Sequence, residues 1–274
     1  MKHLLKKFFD NLKLLMFIKK IYWRIKDFSL SHYISIKKDN FLINFKLIIR
    51  FKRKFFNFNF FSQQNEDKYL LYNFNIDQVK NGTYLEVGAY DGIYCSNTFF
   101  LHNQYCFNGI LIEPQPSLFN SLKKNRFNDF LVNAAITNSN DEYTEFIGNN
   151  LEAGVYDKIS TDLTKFPDWN KYLVKNKKMS EIIKLSSFKY LDIMFIDTEG
   201  SELEIIQSID FSFPIKLIVV EAHKDKKQRN KILKTVLINQ GYIFLYQIRG
   251  NYWFYNESFV REGGLELRNN KKKN

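Results

Sequence analysis

From residue 61 onward the apolar residues fall in short runs separated by stretches of helical spacing. Residues 83–87, 109–112, 130–135, 191–196 and 217–220 are nearly unbroken apolar runs. Runs without polar alternation read as strands buried on both faces. Between and after them, residues 96–105, 117–126, 201–208 and 226–240 carry helix patterns, the last stopped by Gly241. Residues 143–147 add a further strand, and 242–248 with 252–255 form a terminal hairpin. The stretch 141–189 is less regular, with a polar, Lys-rich middle. The pattern predicts an α/β chain with a mostly parallel, doubly wound sheet, closed by a C-terminal antiparallel hairpin.

Residues 1–61 follow a different rule. Lys2, Lys6, Asp10, Lys13, Lys20, Arg24 and Asp27 recur near one helical face, while Leu5, Phe8, Phe9, Leu12, Leu15, Met16, Tyr22 and Trp23 lie largely off it. In 41–61, Lys46, Arg50, Lys52, Arg53 and Lys54 interleave with phenylalanines. The arm is thus basic, aromatic and helical, followed by a body at 62–260 and a polar basic tail at 261–274. Of the 41 Lys+Arg and 29 Asp+Glu in 274 residues, 15 and 3 lie within residues 1–60, so those residues hold the whole formal charge of +12. The body is neutral. Such an arm suits an anionic membrane surface, or packs on the body with its lysines solvated. Nucleic acid is the lesser alternative, because no recognisable binding motif accompanies the charge.

Composition narrows the class. At 45% hydrophobic and 17% aromatic, with four prolines, the chain is neither disordered nor fibrous. Cys95 and Cys106 make no disulfide scaffold or zinc spacing, and the apolar run 14–18 is too short for a signal core or a span. A reducing, cytoplasmic setting is expected, with the arm peripheral on the inner membrane face.

Doubly wound sheets bind ligands at the carboxyl ends of their strands, and three motifs fall there. In LEVGAYDG (85–92), Gly88 and Gly92 would let backbone approach a ligand, and Asp91 favours a cationic group over pyrophosphate. Glu113 ends the next strand, 21 residues after Gly92, where an acid accepts hydrogen bonds from ribose hydroxyls. Asn133 and Ala134 end the third strand as adenine neighbours. In FIDTEGSE (195–202), Asp197 and Glu199 stand at the fourth strand's tip. Glu221 and His223 stand at the fifth.

These segments, with GILIEPQP (109–116), VNAAI (132–136), the lead-in Ser62, Gln63, Glu66 and Asp67, and the closing Val219, Val220 and Glu221, resemble in order the blocks of the FkbM family of S-adenosylmethionine-dependent methyltransferases. The resemblance covers about residues 62–256 and none of the arm. It implies a Rossmann-like methyltransferase fold with S-adenosylmethionine as cofactor. Glu86, Gly88, Tyr90, Asp91 and Gly92 would shape its pocket, and Glu113 would hold the ribose. Tyr90, Thr198 and Asn65 depart from the family's usual small or amide, aliphatic and glycine residues.

Methyl transfer is an in-line displacement governed by positioning, and a hydroxyl acceptor needs a base or a Lewis acid. Asp197, Glu199, Glu221 and His223 could supply either: His223 as a base oriented by a carboxylate, or the carboxylates as ligands for a divalent metal. The expected function is O-methylation of a sugar or glycan intermediate. The alternatives are a non-catalytic membrane-associated or protein-binding module, and RNA methylation. Trp169 with Lys171, Lys175, Lys177 and Lys178 could meet an acidic sugar or form a solvated loop.

Overall fold

The structure, a computed structural model, describes residues 60–148, 151–159, 162–165, 168–169, 171–223 and 226–268. The basic helical arm therefore lies outside the described residues, apart from Phe60 and Phe61. The central sheet is built from β1 (Thr83–Val87), β2 (Asn108–Ile112), β3 (Phe130–Val132), β8 (Leu191–Ile196), β9 (Ile215–Glu221), β10 (Ile243–Ile248) and β11 (Asn251–Tyr255). Its spatial order is β10-β11-β9-β8-β1-β2-β3. Five strands run parallel, while β11 pairs antiparallel with both β9 and β10. This is the doubly wound sheet with its closing hairpin.

Strand residues alternate between two cores, as pleating requires. Leu85, Val87, Ile110, Ile112, Met194, Ile196, Ile218 and Val220 face one side, under the helices Met179–Leu185 (α4), Glu202–Gln207 (α5) and Lys227–Asn239 (α6). Tyr84, Leu111, Ile193, Phe195, Leu217, Val219 and Trp253 face the other, under Glu66–Asn73 (α1) and Phe99–Tyr105 (α2). Burial on both faces is why these strands lack polar alternation. The remaining helix, Pro116–Asn125 (α3), starts on a proline, where the missing N–H loses no helical bond.

Two expectations change. Residues 130–135 form no single strand. After Val132 the Asn133 amide donates to the carbonyls of Glu113 and Pro114 at 2.8 and 3.0 Å, and the chain leaves β3 for a second sheet. That sheet, in the order β4-β7-β5-β6, comprises β4 (Ala135–Ile136), β5 (Tyr143–Ile147), β6 (Gly154–Val155) and β7 (Lys171–Lys177), so the segment read as irregular is largely ordered. Lys171–Lys177 hid as a strand because its lysines point outward while Val174 and Asn176 are buried. Residues 261–268 run back over the body: Leu265 is buried, Arg261 pairs with Asp192, and Leu267 bridges to Phe74.

Candidate active site

The parallel strands end on one side of the sheet, and a cleft of about 550 Å³ opens there. Doubly wound sheets bind ligands at this end of their strands. Gly88 and Tyr90 from the turn after β1, Glu113 after β2, Ala134 after β3 and Asp197 and Glu199 after β8 all line it. The second sheet supplies an apolar wall that includes Phe146, Ala153 and Val155.

The turn after β1 is shaped by two glycines with different tasks. A Cβ on Gly88, at φ +85, would lie 2.0 Å from the Asp197 carbonyl, so this glycine lets the tips of β1 and β8 touch beside the cleft. Gly92, at φ +79, does not line the cleft. Its Cβ would meet Arg126 Cγ and Leu122 Cδ1 at 2.6 Å, so it makes room for α3. Between them Tyr90 takes a left-handed conformation, φ 52, and donates its N–H to Glu113 Oε2 at 2.9 Å.

Glu86 and Asp91 likewise lie away from the cleft lining. Glu86, 2% exposed, accepts from Ser96 Oγ at 2.9 Å, Asn97 N at 2.7 Å and Thr98 Oγ1 at 2.6 Å. These bonds occupy residues 96–98, and α2 begins only at Phe99 rather than at 96. Asp91 Oδ1 accepts from the amides of Ile93 and Tyr94, which makes it a turn-former. Asn133 contributes through the carbonyls it braces, whereas its neighbour Ala134 reaches the cleft.

Glu113, 3% exposed, accepts from the Tyr90 and Gln115 amides, and burial pushes its carboxyl up to about 8. A carboxyl so poorly solvated gains from further donors. The cleft presents the carboxyls of Glu113, Asp197 and Glu199, which can accept from hydroxyls and favour a cation, beside the apolar wall of Phe146, Ala153 and Val155. The cleft therefore fits S-adenosylmethionine.

The other expected site residues form a continuous acidic cluster, of which Asp197 and Glu199 line the cleft. Glu199 has φ 55, and burial followed by the charge of Asp197 pushes its carboxyl up to about 7. Glu221 and His223 stand next to it but do not line the cleft: ligand atoms of Glu199, Glu221 and His223 lie within 4.8 Å of one another. Burial and the charges of Asp197, Glu199 and Glu202 hold Glu221 far above the carboxylate range.

His223 Nε2 lies 3.2 Å from Glu221 Oε2 and 3.4 Å from Glu202 Oε1. Burial alone would lower its pKa, but the hydrogen bond and charge of Glu202, with Glu199, raise it.

Glu202 was not among the expected site residues. It opens α5 and its Oε1 also accepts from Gly200 N at 2.8 Å, which pulls its pKa down together with His223. The available signal was an acid at a helix start, two residues past a glycine. Glu66 was also missed as a site neighbour. It is buried, its Oε1 accepts from Asn251 Nδ2 at 2.6 Å, and it feels the charge of Asp197. The lead-in is fixed further by pairing of Ser62 with Cys95 and by Asn65 in a left-handed conformation, φ 67, which asparagine tolerates where the family prefers glycine.

A family model for the methyltransferase FkbM domain matches residues 86–244, more than half of the chain. Comparison with curated proteins gives no match. Similar solved structures include the precorrin-6y C5,15-methyltransferase of Geobacter metallireducens, at 14% identity over 65% of this chain and 82% of that one, with a TM-score of 0.35. The fibrillarin of Aeropyrum pernix, in complex with S-adenosyl-L-methionine, is 12% identical over 65% and 66%, TM-score 0.36. A TehB-like SAM-dependent methyltransferase from Corynebacterium glutamicum is 10% identical over 78% and 97%, TM-score 0.37. The strand order, rather than these distant likenesses, carries the fold.

Proposed function

The chain belongs to the FkbM family of S-adenosylmethionine-dependent methyltransferases, and on that premise we propose that it methylates a hydroxyl on a sugar or glycan intermediate. The observation that carries this reading is Glu199, a cleft-lining carboxyl pushed up to about 7. A hydroxyl is a poor nucleophile until its proton is taken, and a group with a pKa near the working pH is well suited to take it.

Bound S-adenosylmethionine supplies an electrophilic methyl group. Glu113 and the Tyr90 turn would hold the nucleoside beside the apolar wall. Asp197 favours the cationic end from the strand tip. Glu199 would accept the proton of the acceptor's hydroxyl, leaving its oxygen nucleophilic toward the methyl group whose bond to sulfur breaks to release the uncharged thioether. His223, held by Glu202, balances the charge behind Glu199. The role of base thus passes from His223 to the carboxylate that reaches the cleft, and His223 becomes a positioning residue.

A second reading uses the same side chains. Glu199, Glu221 and His223 offer two carboxylates and an imidazole within 4.8 Å of one another, a set that could hold a divalent cation to polarise the hydroxyl. Residues 1–60, basic and aromatic, support placing the enzyme at the anionic inner face of a membrane, in the cytoplasm. No helix among the described residues is long and apolar enough to cross a membrane.

The test is transfer of labelled methyl from S-adenosylmethionine to a panel of nucleotide sugars and glycans. An alkali-stable O-methyl ether is the expected product. Transfer only to amines or RNA sinks the acceptor assignment. Undiminished function with Asp197 and Glu199 both replaced by alanine would favour a non-catalytic module instead.

A further inference from the structure

Two consecutive residues at the end of α3 hold the turn after β1 from outside the cleft. Asn125 Nδ2 donates to the Asp91 carbonyl at 2.8 Å, and Arg126 Nη1 donates to the Gly92 carbonyl at 2.8 Å. The Arg126 side chain is 0% exposed. Its Nε donates to Asp129 Oδ2 at 2.9 Å, and its Nη2 to Tyr84 Oη at 2.6 Å and Thr98 Oγ1 at 3.1 Å. Thr98 in turn donates to Glu86, and the guanidinium lies 5.3 and 5.7 Å from the ring centres of Tyr84 and Phe99. Gly92 lacks a Cβ where that atom would strike Arg126 Cγ.

Burying a guanidinium carries a large desolvation penalty, and space-filling alone would be met more cheaply by an apolar side chain. What an apolar residue cannot do is fix carbonyl directions. The two carbonyls held here belong to the residues that follow Tyr90, whose amide is bonded to Glu113. We propose that Asn125 and Arg126 form a positioning clamp, which sets the 88–92 backbone and the Glu113 carboxyl in their ligand-ready arrangement before the cofactor arrives. The clamp governs cofactor affinity and leaves the methyl-transfer step to the groups on the cleft. Its affinity consequence rests on the S-adenosylmethionine reading, whereas its effect on the turn does not.

The test uses the full chain with Asn125→Ala, Arg126→Lys and, as a stability control, Leu237→Ala in α6, which is buried in the opposite core. Hydrogen exchange at 88–94 is followed without ligand, and S-adenosylmethionine affinity is measured by calorimetry. Lysine cannot reproduce the guanidinium fork. Both clamp variants are expected to exchange faster at 88–94 and to bind about tenfold more weakly, with kcat at saturating cofactor unchanged. Leu237→Ala should lower the unfolding midpoint and leave affinity alone. Should Arg126→Lys fail to fold, Asn125→Ala decides. Unchanged exchange in Asn125→Ala, or a loss of affinity matched by Leu237→Ala, overturns the clamp. If the wild-type protein binds no S-adenosylmethionine, the cofactor reading falls and exchange at 88–94 alone judges the clamp.

Discussion

Gly88 and Asp197 meet at the tips of β1 and β8 with no room for a side chain: a Cβ on Gly88 would stand 2.0 Å from the Asp197 carbonyl oxygen. The obstacle is backbone, which cannot swing aside, and φ +85 adds strain for any other residue. Gly88→Ala is expected to lower stability by about 2 kcal/mol or more and to abolish cofactor binding, because separating the tips opens the floor of the cleft. Urea unfolding and calorimetry measure both. A variant of wild-type stability that still binds would contradict the close approach.

Glu113 predicts opposite pH trends for folding and binding. Its carboxyl sits at about 8 in the folded protein against an ordinary 4.5, so the folded state holds this proton more firmly than the unfolded one. Its contribution to stability is therefore full below pH 4.5 and is lost as pH rises toward 8. If, as proposed, ribose hydroxyls donate to the charged carboxylate, affinity should grow over the same rise. Glu113→Gln should remove both slopes and weaken binding by about tenfold or more. Calorimetry between pH 6 and 9 checks this; a flat wild-type affinity would show that the carboxylate does not receive the hydroxyls.

As the proposed base, Glu199 would set the acidic limb of the rate profile. A base must be unprotonated to act, so kcat should climb as pH passes about 7, where burial and Asp197 hold its proton. Glu199→Gln should cut kcat by about 100-fold or more with cofactor affinity little changed. Glu202→Gln removes the largest influence that raises His223, and its imidazole titration by NMR should move down. An unshifted imidazole would show that Glu202 does not hold it.

Chelation separates the two ways of activating a hydroxyl. With Glu199 as base, EDTA treatment leaves methyl transfer unchanged. Activity lost to EDTA and restored by manganese or magnesium would give the role to a cation at Glu199, Glu221 and His223.

Legibility in the sequence tracked the kind of burial. Residues 191–196 and 83–87 were readable to the residue because both faces of those strands are covered, leaving mostly apolar side chains around the buried Asp192, Thr83 and Glu86. Residues 171–177 were not, because one face meets solvent and its lysines resemble a loop. The strand tips drew attention to Gly88, Glu113, Asp197 and Glu199, which do share the cleft. Local reading could not distinguish Gly88 from Gly92, since the difference lies in whether a neighbouring strand or a helix fills the missing Cβ. Nor could it show that Glu86 is saturated by Ser96, Asn97 and Thr98 or that Glu202 turns toward His223, contacts that exist only after the chain has folded back.

The bond between Glu66 and Asn251 joins residues 185 positions apart, and Asn251 pairs in register with Glu221. The acidic tip is thus assembled from α1 and the closing hairpin together. During synthesis it stays open until that hairpin has emerged, however early β1 and β2 pair. Any form of the chain cut short of Asn251 lacks β11 and the bond to Glu66. Such a fragment could retain a nucleoside seat around Glu113 while its acceptor side remains unbuilt.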